Sequence, residues 1–205
     1  MCKFDLYAKI TKMNREQAYK ILTSLISSQN LIKHHLACEA AMMGIYERIQ
    51  NSKHEPIDEK EKEKWGIVGL LHDADYELTK NTPEKHTLVL EEKLKDQILP
   101  EIMHSIKSHN YKYSKATPIS FMDWAIVACD ELTGLIIAAA LVHPDKKLES
   151  IDKDFVLKRF NEKSFAKGAD RKPIKMCENE LGIPLDNFIY IVLISMQKIH
   201  NELGL

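Results

Sequence analysis

The stretch Trp65-Gly66-Ile67-Val68-Gly69-Leu70-Leu71-His72-Asp73 decides how this chain is read. Seven apolar or small residues run without interruption into an imidazole and a carboxylate. Such a run describes a buried segment that carries two polar groups to its end, and burying them without a partner is costly. A divalent cation is one partner that would use both. Read as a helix, the segment puts Trp65, Val68, Leu71 and His72 on one side.

The sequence around this segment is also helical in pattern. Glycine and proline are sparse, seven of each, and strand-like alternation is nearly absent, which predicts an all-α fold. Asn14 with Gln17 three residues on resembles a capping box opening a helix to about Ser28. Asn30 is expected to cap the next helix, to about Ile49, with His34, Cys38, Ala41 and Ile45 on one face. The polar stretch 51–64 reads as a loop leading into the Trp65 helix, and 75–82 as another loop. Pro83 suits the first turn of a helix to about Lys95, and a further helix covers Leu99 to His109. Pro118 opens a long helix through Asp130 to about Val142. Short helices are expected from Asp152 through Phe160 and over Lys172 to Leu181. An apolar helix then runs from Leu185 to about Leu203, with Gly204 as its stop. These divide into a helical core, 1–145, and a C-terminal helical extension, 146–205, packed on the same domain. The Phe188 to Ile199 stretch is apolar enough either to enter the core or to form a homodimer.

Composition narrows the partners. With 205 residues, 44% hydrophobic and 29% charged, the chain fits one globular domain. A formal charge of -1 gives no global attraction to nucleic acid polymers or anionic membranes. The segment Met1-Cys2-Lys3-Phe4-Asp5 lacks the apolar region of a secretion signal, and the run Leu132 to Val142 is short for a bilayer. The expected compartment is the cytosol, with no membrane partner. None of the four cysteines, Cys2, Cys38, Cys129 and Cys177, lies in a C-x-x-C pair. Cys38 and Cys129 read as small core hydrophobes.

Three separate helices are thus expected to carry His34, the pair His72-Asp73, and Asp130. Neutral imidazoles and carboxylates bind first-row divalent metals. Adjacent residues on a helix point about 100° apart, yet near a helix end both can converge on one ion. His34 and Asp130 would complete four ligands from other helices, leaving positions for water and a substrate oxygen. The bland alternative for any one of these histidines is a satisfied core imidazole. It is the set, with its flanks, that outweighs this alternative.

Those flanks are Lys33-His34-His35-Leu36-Ala37-Cys38-Glu39-Ala40, Gly69-Leu70-Leu71-His72-Asp73 and Ala128-Cys129-Asp130-Glu131-Leu132-Thr133-Gly134. Together they resemble the HD superfamily of metal-dependent phosphohydrolases, whose pattern H…HD…D falls here on His34, His72, Asp73 and Asp130. The likeness covers about Gln29 to Leu141. It implies an HD-domain helical bundle binding one or two divalent transition metals, manganese, iron, cobalt or nickel. In two-metal members the aspartate bridges and further histidines lie between the HD pair and the last aspartate. By that resemblance His86 and His109 are second-metal ligands, and His104 is a weaker one. The whole chain also looks like a branch of predicted HD-superfamily hydrolases that pair Asp-Glu-Leu-Thr-Gly-Leu with a Lys-Arg-Phe…Phe-Ala-x-Gly segment.

The expected activity is hydrolysis of a nucleotide or other small phosphorylated metabolite by metal-activated water, with Asp73 and Asp75 as catalytic carboxylates. Asp75 and Glu77 follow the pair closely, and either can act as a general acid or orient a ligand histidine. The basic segment 158–172 offers Arg159, Lys163 and Arg171 to a substrate phosphate, or else forms a solvated helix and turn anchored by Phe160 and Phe165. His35 is expected either to support a ligand from behind or to lie at the surface. His54, His143 and His200 are expected outside the site. Two other functions fit the same residues: a di-iron oxygenase, and a non-enzymatic nucleotide-sensing module.

Overall fold

The computed structural model describes residues 13–205. Cys2 and the first five residues lie outside them. Among the described residues there are helices and turns and no strand, so the chain is all-α.

The first helix, α1 (Arg15–Leu25), opens on the expected capping box: the Asn14 side chain accepts from Gln17 N–H, and Gln17 returns the bond. The next, α2 (Gln29–Lys53), is capped by Ser28 rather than Asn30, because the Ser28 hydroxyl already accepts from Leu31 N–H and places Asn30 in the first turn. It runs past Ile49 and ends at His54, a left-handed residue with φ 57°. Helix α3 (Glu59–Leu71) begins inside the expected loop, where Asp58 caps Lys60 and Glu61. Every residue from Trp65 to Leu71 is buried.

A short helix, α4 (Tyr76–Thr79), lies in the next expected loop. The helix expected from Pro83 to Lys95 is broken in two. A single 3-10 turn over Pro83–Lys85 precedes α5 (Leu88–Leu94), and between them Thr87 sits at φ 71°. A β-branched residue in that region is a backbone outlier, and conformations of this kind cost roughly 1–3 kcal/mol. Then come α6 (Pro100–His109) and α7 (Tyr111–Ser114). The long helix α8 (Phe121–Val142) starts at a capping box of Ser120 and Asp123. The last four are α9 (Lys153–Asn161), α10 (Arg171–Glu180), α11 (Leu185–Gln197) and α12 (His200–Leu203). A break after Gln197 separates the last two, and Gly204 stops α12 at φ 71°.

At the centre, α2 packs against α3, α8 and α11, while α8 packs against α2, α6, α9, α10 and α11. Helix α8 is long and apolar enough to cross a membrane, yet 61% of its most apolar window is buried within the fold. Helix α11 likewise turns Phe188, Ile189, Val192, Leu193 and Met196 into the core. Each such side chain contributes roughly 1.5–3 kcal/mol. The Gly44 position lets α11 in close: a β-carbon there would stand 2.0 Å from Ser195 Oγ.

Candidate metal centre

Helices α2, α3, α6 and α8, with the break before α5, bring six predicted ligands together. They form two triangles of donor atoms. In the first, His34 Nε2 lies 3.1 Å from Asp130 Oδ1 and 3.2 Å from His72 Nε2, and His72 Nε2 lies 3.4 Å from Asp130 Oδ1. In the second, Asp73 Oδ1 lies 2.9 Å from His86 Nε2 and 3.0 Å from His109 Nε2, and the two nitrogens are 3.0 Å apart. The other Asp73 oxygen leans towards the first triangle, 3.8 Å from His72 Nε2. Asp73 therefore stands between the two groups.

Each imidazole is turned the same way by its second nitrogen. His72 Nδ1–H donates to Gly69 O at 2.9 Å, and His109 Nδ1–H to Ile106 O at 2.5 Å, both one turn back on the chain. His86 Nδ1–H donates to Asp75 Oδ1 at 2.7 Å. Thr133 donates its hydroxyl to Asp130 O, so its oxygen accepts from His34 Nδ1–H at 3.4 Å. All four rings thus present Nε2, the arrangement a metal needs.

These rings fit a cation and little else. With Nδ1–H in use, neutral rings would aim lone pairs at each other across 3.2 Å (His34 and His72) and 3.0 Å (His86 and His109). A proton or a metal must stand between them. Without metal it is the proton: burial opposes charge on His72, but Asp73, Cys38 and Asp130 outweigh it and raise the ring to about 10. Burial likewise opposes charge on His86, and the bonds to Asp73 and Asp75 raise it to about 9. Burial disfavours the Asp73 and Asp130 carboxylates, yet the His72 charge and their imidazole partners hold both well below the usual carboxylate range. Spacing agrees too. On an ion with bonds of about 2.1 Å, neighbouring ligand atoms stand about 3.0 Å apart at a right angle and about 3.4 Å apart at a tetrahedral one. Both triangles lie in or within about 0.1 Å of that interval.

Of the two roles open to Asp75, the geometry favours orientation. It is fully buried, its Oδ1 takes His86 Nδ1–H and Thr87 N–H, and its Oδ2 takes Leu90 N–H at 3.0 Å. It therefore fastens the break at Thr87 and aims His86, with no exposed oxygen for a leaving group. Glu77 is engaged elsewhere, accepting from Ser27 N–H, Ser27 Oγ–H and Ser28 N–H at the turn into α2. His35 is buried rather than exposed, with its ring centroid 5.1 Å from that of His72. His104 points away to Asp123 Oδ2 at 3.3 Å and joins neither triangle. His54, His143 and His200 also stand outside both.

The basic segment does lie beside the centre, but its arginines face inward. Glu131, the neighbour of Asp130, accepts Asp170 N–H at 3.1 Å and so tethers the 162–170 loop to α8. Arg171 reaches four backbone carbonyls, of Phe160, Phe165, Ala166 and Ala169. Arg159 pairs with Glu162 and lies between the rings of Phe155 and Phe165. Both arginines hold the loop's own structure. Lys163 is exposed, beside Lys167 and Gly168, on a cavity of about 390 Å³.

Three neighbours of the centre were not singled out from sequence. Thr133 and Glu131 signal themselves only by spacing and adjacency to Asp130. Cys38 reads as core, yet its sulfur is 3.9 Å from His34 Nε2 and 3.4 Å from Thr133 Oγ1. The one sequence signal for Cys38 is its place four residues after His34.

Compared with protein-family models, with curated proteins and with solved structures, the chain matches none.

Proposed function

We propose that this chain is a metal-dependent phosphohydrolase of the HD superfamily, acting on a nucleotide or another small phosphorylated metabolite. The observation that carries this reading is the pair of donor triangles joined by adjacent His72 and Asp73. His34, His72 and Asp130 would hold one divalent ion, and Asp73, His86 and His109 a second. When bound, such ions supply Lewis acidity towards a phosphoryl oxygen and a more acidic water. Nitrogen-rich sets of this kind favour manganese, iron, cobalt or nickel over magnesium.

The chain's own groups set the geometry. Asp73 offers one oxygen to each half of the centre, while Asp75 and Thr133 fix the rings of His86 and His34. The His72 side chain is fully covered, whereas those of Asp130, His34 and Asp73 are 25%, 20% and 18% exposed, so the centre is reached from the side where these three lie. There the tethered 162–170 loop presents Lys163 and Lys167 to the unreacting part of an anionic substrate. The cytosol suits the buried free thiols Cys38, Cys129 and Cys177.

The test is elemental analysis of protein purified without chelators or an affinity metal, with hydrolysis of a generic phosphodiester and phosphomonoester measured on the same sample. The reading expects metal and turnover in the wild type, and in Asp73→Ala no turnover and at most the one ion held by the His34, His72 and Asp130 half. His109→Ala should lower the metal count from two towards one. Two ions retained by Asp73→Ala overturn the site. A second reading has one specific observation in its favour: two histidines and one carboxylate in the second triangle form the facial set of non-haem iron oxygenases. Two irons with oxygen uptake and no hydrolysis would select it.

A further inference from the structure

We infer that Cys38 is a metal ligand, completing a four-ligand site of His34, Cys38, His72 and Asp130 and leaving the Asp73, His86 and His109 half as the open one. The inference rests on the metal-dependent reading above and concerns which atoms hold the first ion.

Five observations lead to it. Cys38 follows His34 by four residues on α2, the spacing that places two side chains on one helix face. Its Sγ and one ligand atom each from His34, His72 and Asp130 lie within 4.8 Å of one another. Sγ stands 3.9 Å from both His34 Nε2 and Nδ1; with bonds of about 2.3 Å to sulfur and about 2.1 Å to nitrogen, tetrahedral neighbours stand about 3.6 Å apart, so coordination turns the thiol towards Nε2. The surroundings also differ from those of the other buried thiols. Cys129 and Cys177 belong to the apolar core, whereas Cys38 faces an imidazole and a threonine hydroxyl. Finally, Gly69 presses α3 onto the Cys38 backbone itself, three residues before His72. The helix contact that builds the first triangle therefore fixes Cys38 beside it.

Coordination would break the Cys38 S–H bond and form a sulfur–metal bond, with the proton passing to solvent. No oxidant is needed. Two consequences follow for the centre. A thiolate among the ligands shifts the first half towards zinc, iron or cobalt and away from manganese and magnesium. Four protein ligands also close that half in the manner of a structural site, while three ligands leave the second half room for water and substrate. The two halves would then differ in metal preference and in role.

Cobalt(II) absorption of the metal-stripped full chain tests this. The expected result is a thiolate-to-cobalt charge-transfer band in the near ultraviolet, saturating at one equivalent, together with visible d–d bands. Cys38→Ala and Cys38→Ser should each lose the ultraviolet band and keep the visible ones, and His109→Ala should keep both. Visible bands without a charge-transfer band in the wild type overturn the inference and leave the metal reading intact. So does a band that survives in Cys38→Ala, since another thiol then supplies it. No retained cobalt in the wild type overturns the metal reading, and this inference with it. If a Cys38 variant fails to fold, Cys129→Ala and Cys177→Ala keep the test open: both should retain the ultraviolet band, and its loss in either overturns the inference.

Discussion

A β-carbon on Gly69 would stand 2.5 Å from the Cys38 carbonyl oxygen and 2.6 Å from its carbonyl carbon. Helices α2 and α3 thus meet backbone to backbone at this point, an approach only glycine permits. His34 lies one turn before Cys38, and His72 lies three residues after Gly69. The contact therefore sets the 3.2 Å between the two imidazole nitrogens. The glycine in the quoted segment brings together two helices whose histidines could hold one ion.

Gly69→Ala should separate the two functions of this contact. Alanine improves helix propensity by about 1 kcal/mol. Overpacking a rigid contact costs about 1–3 kcal/mol, and the neighbour here is backbone that cannot rotate away. The net expectation is a loss of up to about 2 kcal/mol in urea unfolding, with weaker metal binding because His72 is pushed from His34. A more stable variant with unchanged metal content would show that the helices tolerate the methyl and that Gly69 does not position the site.

Metal binding should release protons at neutral pH. Without metal, His72 and His86 titrate near 10 and 9 and carry protons at pH 7. Ligand imidazoles must be neutral, so each must lose its proton to a bound ion. Calorimetry in buffers of different ionisation enthalpy should report more than one proton released per chain, and affinity should rise steeply with pH. The sign for the metal-free fold is opposite. Raised histidines stabilise it fully below their ordinary value of 6.5 and lose that contribution as pH climbs to about 10. The depressed carboxylates of Asp73 and Asp130 contribute above their ordinary 3.8 and fail in acid. Metal-stripped protein should be most stable between these limits and weaken towards alkaline pH. A flat profile would dissolve the ion-paired cluster.

Asp75 should behave as a positioning residue. Asp75→Asn keeps the shape but weakens the bond that holds His86 Nδ1–H. Losses of outer-shell partners typically lower metal affinity about 10–100-fold. The expected result is a second-site affinity reduced by that factor and a first site unaltered, read as stoichiometry at limiting metal. A variant with full metal content and a missing alkaline limb in its pH–rate profile would restore the general-acid role.

Asp123 should prove a stability residue although it neighbours His104. Its carboxylate is buried, accepts from Ile119 and Ser120 N–H, and takes a bond from buried Ser105 Oγ. Asp123→Ala loses a helix cap of about 1 kcal/mol and leaves the buried Ser105 hydroxyl unpaired at about 1–3 kcal/mol. Urea unfolding should show a drop of about 2–4 kcal/mol, with metal ratios unchanged in the folded fraction. A smaller loss would mean that water replaces the carboxylate.

Much of this was legible in the sequence. Side chains on helix faces repeat with a fixed period, so the buried run 65–71 and the faces of α2 and α8 follow from the residues. The six ligands come together because each lies on or beside such a helix. What could not be read depends on contacts between distant segments. Ser28 displaces Asn30 as a cap because Glu77, far along the chain, holds Ser27 and Ser28 at the turn. The helix after Pro83 breaks because buried Asp75 binds Thr87 and Leu90. Local pattern favours continuity there, and only the break lets His86 reach His109. Arginine in a basic segment suggests an anion, yet Arg171 meets carbonyls of its own loop, which composition does not reveal.

That loop supplies the last prediction. Arg171 ties Phe160, Phe165, Ala166 and Ala169 through one guanidinium, and Glu131 holds the adjoining Asp170 amide. Bonds from a charged donor contribute about 1.5–3 kcal/mol each when geometry is good, and lysine cannot reproduce the planar fork. Arg171→Ala and Arg171→Lys should both open residues 162–170 to limited proteolysis. Lys163→Ala should leave proteolysis unchanged, because its ammonium is exposed, and should raise KM for an anionic substrate with kcat preserved. If Arg171→Ala instead raises KM while the loop stays resistant to protease, its guanidinium reaches substrate after all, and the carbonyl contacts describe only the resting loop.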